Sequence, residues 1–544
     1  NTDTERALVL KLAAYLKDSS YIKNTIRQIE TEKKVEIQIT GYQKLHKQVQ
    51  RMLLLQSELK WLNMEAIRLA YEDMKRIEGF DAVKYLPILT ELEQQVKQGF
   101  GNIYSGDEAV LANAEKAVAN KRAILLANPL LNGDKILTVR YQLGNRDRRA
   151  MAPELGTQSN NWSNQESARR KGFNADIVEL SNLRDEVQIR TIYKPDNTSS
   201  IADLKLHWDG DRAMFTQTMS DNRWNVFEVK LNNGDCKKLI DNPEPDLEFY
   251  DGTYLPDGRI IANSNIGYQG VPCVNGSDPV GNMVLYTPQS KNLRRLTFDQ
   301  DANWNPVIMN NGRVMYTRWE YTDLTHYYTR IVMNMNPDGT EQKALYGSGS
   351  MFPNSTFDVQ PLPGYASAFV GIISGHHGVA RSGRLILFDP AKARKGAAGM
   401  LQEIPHRNRP IVEEVKDRLV DGVWPQFIKP SPLNDTYFLV AAKLDKNDLW
   451  GIYLVDKFDN VTCLHKMEGE GYISPIAVRK TVTPPAIPDR VKLDDKQATV
   501  FIQDIYEGEG LKGIPRGTVK SLRLHAYEYA YVQTQSDHNW HGIQ

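Results

Sequence analysis

Residues 254–263, "YLPDGRIIAN", followed after a long insertion by residues 282–297, "NMVLYTPQSKNLRRLT", decide how this chain is read. The first stretch is two apolar strands closed at Asp257-Gly258, a hairpin signal because such turns need residues that tolerate positive φ. The second is an amphipathic strand, a polar turn and a basic-apolar strand. Both halves recur. "LHWDGDRAMF" (206–215), "IMNNGRVMYT" (308–317) and "PSPLNDTYFLV" (430–440) repeat the first half. "WNVFEVKLNNGDCKKLI" (224–240), "RIVMNMNPDGTEQKAL" (330–345) and "WGIYLVDKFDNVTCLHK" (450–466) repeat the second. Four strands in every ~40–50 residues, stacked radially, make a β-propeller, which leaves only short edges exposed. The units fall near 136–195, 200–240, 246–297, 302–346, 352–405 and 424–467, and "GYISPIAVRK" (471–480) remains to close the ring. The expectation is a mainly β chain with a six-bladed propeller, seven blades being the alternative.

Ahead of the repeats the period changes. Leu45, Val49, Met52, Leu55, Leu59, Leu62, Ala66 and Leu69 recur at three- and four-residue spacing between Lys, Gln and Glu, the pattern of an amphipathic helix. Gly79, Pro87, Gly99 and Gly101 are expected to stop it, giving roughly three to five helices. The organisation read from these shifts is a helical domain over 1–127, a propeller over 128–480, and the start of a C-terminal β domain over 481–544 after the proline-rich "KTVTPPAIPDRVKL" (480–493).

Composition sets outer bounds. Lys plus Arg equals Asp plus Glu at 67 each, so no global field favours nucleic acid. No run approaches the ~18 apolar residues of a spanning helix, so no transmembrane segment is expected. The first residues lack the basic start and cleavage site of a signal peptide, which reads as a chain already processed or a cytoplasmic one. Cys236, Cys273 and Cys463 are odd in number and far apart, so no disulfide framework is implied; Cys273 is expected to pair with neither of the others. "GSGS" (347–350) is not a phosphate-binding glycine motif.

"YLPDGRIIANSN", "LRRLTFDQDANWNP" and "NMNPDGTEQKAL" resemble propeller repeats of the TolB and PD40 type. "GVPCVNGSDPVGN", "RWEYTDLTHYYTR", "ISGHHGV", "GLKGIPRGTVKSLRL" and "NPLLNGDKILTVR" are similar to the family named after the hydrazine synthase alpha subunit, from about Asn128 onward. That resemblance implies an exported bacterial protein, periplasmic or at the cell surface, with a lipid anchor at a processed N-terminus as one form. It also implies that Cys273 matches a cysteine that helps hold zinc in haem-bearing members. The haems of those members are attached through CxxCH, which this chain lacks, so no covalent c-type haem is expected.

Three loops gather unusual side chains: Cys273 with Asp278; Trp319, Glu320, Asp323 and His326; and His376, His377 and Arg381. Insertions between propeller strands collect at one end of the channel, so these loops are expected to converge. Thiolate, imidazole and carboxylate are the ligand set zinc prefers, which makes Cys273, His326, His376 and His377 the candidate metal ligands and zinc the candidate cofactor. The plainer reading makes Cys273 a small buried hydrophobe and has the histidines cap strand ends. It is preferred, with no stoichiometric metal. Glu320 with Asp323 or Asp251 is a carboxylate pair of the kind glycosidases use, against a reading as turn and surface ion pairs. The propeller tryptophans are read as packing between blades, with a glycan or peptide platform as alternative. Arg259 and Arg313, each after a turn glycine, are expected to bond a neighbouring blade. The leading functional expectation is a binding or scaffolding propeller with protein partners in a cell-envelope or surface assembly. A metal-dependent enzyme with its site at the propeller mouth and a carboxylate glycosidase are the alternatives.

Overall fold

The computed structural model describes residues 1–525 apart from 132, 134, 145–151, 159–161, 197, 272, 273, 275, 320–329, 377–380, 498, 499, 501, 503 and 508. The chain divides into two compact units. One comprises Asn1–Lys135, Asn182–Gln188 and Tyr453–His465; the other comprises Ile136–Ser181, Ile189–Ile452 and Lys466–Gln544.

The first unit holds six helices among its described residues: α1 (Thr2–Ala13), α2 (Ser20–Glu30), α3 (Val35–Lys60), α4 (Met64–Met74), α5 (Ala82–Gln98) and α6 (Glu108–Leu125). That exceeds the number read from sequence because the long apolar stripe is broken. Asn63 accepts a hydrogen bond from Ala66 N and starts α4 afresh, as a side-chain N-cap does. Leu45, Val49, Met52 and Leu55 therefore face the core from α3, whereas in α4 the register has turned and Ile67 and Ala70 are buried in place of Leu69. Pro87 does not stop a helix; it lies inside α5, which ends at Gly99. At the centre of this unit Lys121 is fully buried, its ammonium 3.4 Å from Glu58 and 2.9 Å from the Val461 carbonyl.

In the propeller repeats, six four-stranded sheets form among the described residues. The protein is a six-bladed β-propeller, and the seven-blade alternative falls. Its innermost strands are β4 (Ile201–Leu206), β8 (Phe249–Tyr254), β12 (Asn303–Ile308), β16 (Thr356–Pro361), β20 (Gln426–Pro432) and β24 (Glu470–Ala477). The last of these pairs antiparallel with β1 (Lys135–Gln142), so the end of the repeat closes onto its beginning. The residues predicted to complete the ring, 471–480, do so through Gly471 to Ala477.

Each innermost strand carries a bulge at the same place. Register shifts between Ala202 and Lys205, Tyr250 and Thr253, Trp304 and Val307, Phe357 and Gln360, and Ile428 and Ser431. At these bulges and their counterpart in β24, Asp203, Asp251, Asn305, Asp358, Lys429 and Ser474 take φ between 50° and 59°. Left-handed backbone is uncommon outside glycine, with Asp and Asn the best tolerated. Six repetitions of one strained conformation turn six side chains toward the channel axis. Beyond Ala477 the described residues contain no strand. The described part of the expected C-terminal β region holds one short 3-10 turn, Glu509–Leu511, and residues 526–544 of it lie outside the described residues.

Candidate functional site

The six bulges form the floor of a cavity of about 560 Å³ at one end of the channel, where the first and second strands of each blade turn. Its floor is one hydrogen-bonded ring. Asp251 Oδ2 accepts from Asn305 N at 2.6 Å, Asn305 Oδ1 from Asp358 N at 3.1 Å, and Asp358 Oδ2 from Lys429 N at 3.3 Å. Three bulge side chains, those of Asp251, Asn305 and Asp358, thus hold the bulge backbone of the next blade. Between Asp203 and Asp251 the Thr216 hydroxyl takes over, donating to Asp203 Oδ2 at 3.2 Å and accepting from Asp251 N at 2.9 Å. Two ammonium groups sit among the three carboxylates. Lys429 Nζ lies 2.8 Å from Asp358 and 3.3 Å from Asp203. Lys205 Nζ lies 3.1 Å from Asp251 and donates to Pro306 O at 2.8 Å.

Burial, then the charge of Asp251, pushes the Asp203 carboxyl above the usual carboxylate range, against the pull of Lys429 and Lys205. Burial opposes the Lys429 ammonium, but Asp358, Asp203 and Asp251 outweigh it and hold its pKa above the ordinary lysine value. Beneath the ring, Thr157, Gln158 and Gln165 face Asp203, Lys429 and Ser474 across a gap of about 10 Å³, room for one water at most. Among the described residues the cavity is therefore a blind cup. Its walls mix apolar and proline side chains, among them Trp208, Tyr254, Ile308, Pro361, Pro432 and Leu433, with polar ones such as His207, Asn310, Arg479 and Lys480.

His207, on the rim, approaches Asp209 and Asp211 closely enough to share a cation. Arg212 already fills that role, donating to Asp209 at 3.2 Å, Asp211 at 2.9 Å and His207 Nε2 at 2.7 Å.

Asp278, Trp319, His376 and Arg381 lie where the second strands of their blades pass to the third, at the opposite end of the channel from the cavity. There the structure brings Asp278, Trp319, His376 and Arg381 onto one segment that the sequence reading passed over, residues 162–165. Trp162 Nε1 donates to Asp278 Oδ2 at 3.0 Å. The His376 ring lies 5.7 Å from that of Trp162 and 6.0 Å from that of Trp319. Arg330 Nη1 lies 2.8 Å from His376 Nδ1, and its guanidinium stacks 4.3 Å from Trp319. An arginine can only donate, so Nδ1 is the accepting nitrogen and is committed to Arg330. Arg381 donates to the Ser163 carbonyl and sits over Trp304 and Phe357 at 4.9 and 4.7 Å. Burial pushes its pKa down to about 10.

Trp162, Val271, Val280, Trp304, Trp319 and Phe357 pack together around these groups. Cys273, Glu320, Asp323, His326 and His377 lie outside the described residues. Cys236 and Cys463 form no disulfide.

Sequence reasoning noted only Asp251 among the ring residues. The signal available was spacing: Asp203, Asp251 and Asn305 each stand seven residues before a turn glycine, Gly210, Gly258 and Gly312.

No protein-family model matches the chain, and no curated protein matches it. Solved structures do. Hydrazine synthase from Kuenenia stuttgartiensis is similar at 12% identity and a TM-score of 0.49, over 65% of this chain and 48% of that one. TolB from Acinetobacter baumannii is similar at 10% identity and a TM-score of 0.36, over 66% and 72%. Oligogalacturonate lyase from Vibrio parahaemolyticus is similar at 13% identity and a TM-score of 0.33, over 60% and 92%. The chain spans about half the length of the hydrazine synthase chain it matches. At such identities the likeness is one of fold.

Proposed function

We propose that this chain is a binding propeller of an exported bacterial envelope or surface assembly, and that its channel cavity receives an extended segment of a protein partner. The observation that carries the reading is the blind cavity of about 560 Å³ itself, the size of a ligand site. Its charged floor is internally hydrogen-bonded and so rigid, while its walls mix apolar and proline side chains with polar ones. Such a floor is pre-organised to hold shape and orient a polar chain end, and such walls reward burial of apolar side chains. The exported location rests on the sequence resemblance given above. Selecting displayed random peptides on the purified protein tests the reading. Enriched peptides should bind Trp208→Ala at least tenfold more weakly; selected peptides that ignore that change would end it.

One observation favours a second reading. Asp203, its pKa raised by burial and by Asp251, has the environment of a general acid beside a second carboxylate. Hydrolysis of chromogenic glycosides by the parent, lost in Asp203→Asn, would carry that reading instead. A zinc site at the loop end, with His376 among its ligands, stays a proposal that metal analysis of the purified protein decides.

A further inference from the structure

Residues 478–491, "VRKTVTPPAIPDRV", leave the last blade strand and run across the turn end of the propeller. Pro484, Pro485 and Pro488 fix φ and push the residues before them into extended backbone. The segment is thus a ready-made extended chain of the polyproline kind, with little entropy to lose on docking. Its anchors are specific. Thr481 N donates to the Trp208 carbonyl at 2.9 Å, and Arg479 Nη2 to the Leu433 carbonyl at 2.6 Å. The Pro485 carbonyl presses so close to Gly312 that a Cβ there would lie 2.2 Å from it. Asp489 takes both arms of the Arg259 guanidinium at 2.8 and 2.9 Å. Asp338 accepts from Val491 N at 2.9 Å and also from Arg490 N.

Residues Arg479 to Val482 and Pro484 form one wall of the channel cavity. Yet the segment itself is mostly exposed, Val482 at 90%. It is held by polar contacts, the Arg490–Glu341 ion pair among them, rather than by burial, so its removal exposes little new apolar surface.

We infer that residues 478–491 are a displaceable strap, an occupant in cis of the surface that a partner's extended segment takes. The partner chemistry follows from the strap's own contacts: an extended, proline-bearing peptide with a carboxylate placed to meet Arg259. Arg259 is then a recognition residue, and strap docking and partner binding exclude one another. The inference rests on the partner-binding reading above.

The test uses the full chain and a labelled peptide of the strap sequence, residues 478–491, added in trans. Thr481→Pro with Asp489→Lys removes the amide donor to Trp208 and turns the Asp489 contact into repulsion. Hydrogen exchange at Arg490 and Val491 should be slow in the parent and at least tenfold faster in this double variant. The peptide should bind the double variant at least tenfold more tightly than the parent, and adding Arg259→Ala should abolish the gain. Equal binding to parent and variant, or binding to neither, overturns the inference. So does protection of the two amides that survives the double substitution, or binding that ignores Arg259→Ala. If the strap peptide behaves as expected but no displayed peptide depends on Trp208, the strap stands and the partner reading falls. If displayed peptides need Trp208 but strap release changes nothing, only the strap inference falls.

Discussion

Lys429 engages Asp358 twice: its ammonium lies 2.8 Å from Oδ1, and its backbone N–H donates to Oδ2 at 3.3 Å. One carboxylate thereby fixes both the charge and the left-handed backbone of the neighbouring blade. Lys429→Met should leave Asp203 and Asp358, both buried, without their cation. Breaking a buried pair from one side costs about 3–5 kcal/mol. Denaturant midpoints should fall accordingly, and Asp358→Asn in the same chain should recover part of the loss. A Lys429→Met midpoint equal to the parent's would show that the ring does not hold the blades together.

Glu166 gives a pH-dependent expectation. It lies in the 3-10 turn Gln165–Ser167, directly after residues 162–165; Oε1 accepts from Asn265 at 3.3 Å, while buried Oε2 has no hydrogen-bond partner among the described residues. Burial, reinforced by the charge of Glu248, raises its pKa to about 8. Because the folded state binds this proton more tightly than the unfolded state, its contribution is fully present below about pH 4.5. It is lost as pH rises toward about 8. At about 1.4 kcal/mol per unit, the parent should lose a few kcal/mol over that window, and Glu166→Gln should lose much less. Stability curves for the two proteins at pH 5 and pH 9 decide it, parallel slopes being the contrary result.

Two turn glycines separate backbone strain from strap contact. Gly258 and Gly312 have φ of 86° and 82°, but a Cβ at Gly258 meets nothing within 4 Å, whereas one at Gly312 collides with Pro485. Either alanine should cost about 1–2 kcal/mol for the left-handed conformation. Only Gly312→Ala should also speed hydrogen exchange at Arg490 and Val491. Equal exchange in the two variants would mean that the strap does not lean on Gly312.

The blades were legible because Asp-Gly or Asn-Gly turns between apolar strands recur at Gly210, Gly234, Gly258, Gly312 and Gly339. The ring was less so. Its six positions share a backbone conformation and not a residue type, since Asp203, Asn305, Lys429 and Ser474 have no common side-chain chemistry. The arginines show the same limit. Arg313 bonds Asn334 at 2.6 Å, Asn336 at 2.6 Å and Glu341 at 3.2 Å, all in its own blade, and Arg259 reaches the strap instead of a neighbouring blade. Partners so distant in sequence leave no local pattern. Residues 162–165 escaped for the same reason: what they do is decided by the three loops they meet.

His376 allows the metal and packing readings to be separated by one position. Its Nδ1 accepts from Arg330, which is fully buried between Trp319 and the histidine ring. If this is its role, His376→Ala removes an acceptor from a buried cation, a loss of about 1–3 kcal/mol. His376→Gln, which keeps an accepting oxygen, should recover roughly half of that or more on the same grounds. Elemental analysis of parent and variants should then show the same metal content. A zinc ion that is stoichiometric in the parent and lost in both variants would reverse the assignment, because glutamine replaces the hydrogen-bond acceptor but not a zinc-binding imidazole. Chemical denaturation and metal content on the same three preparations therefore distinguish a histidine that orients Arg330 from one that holds an ion.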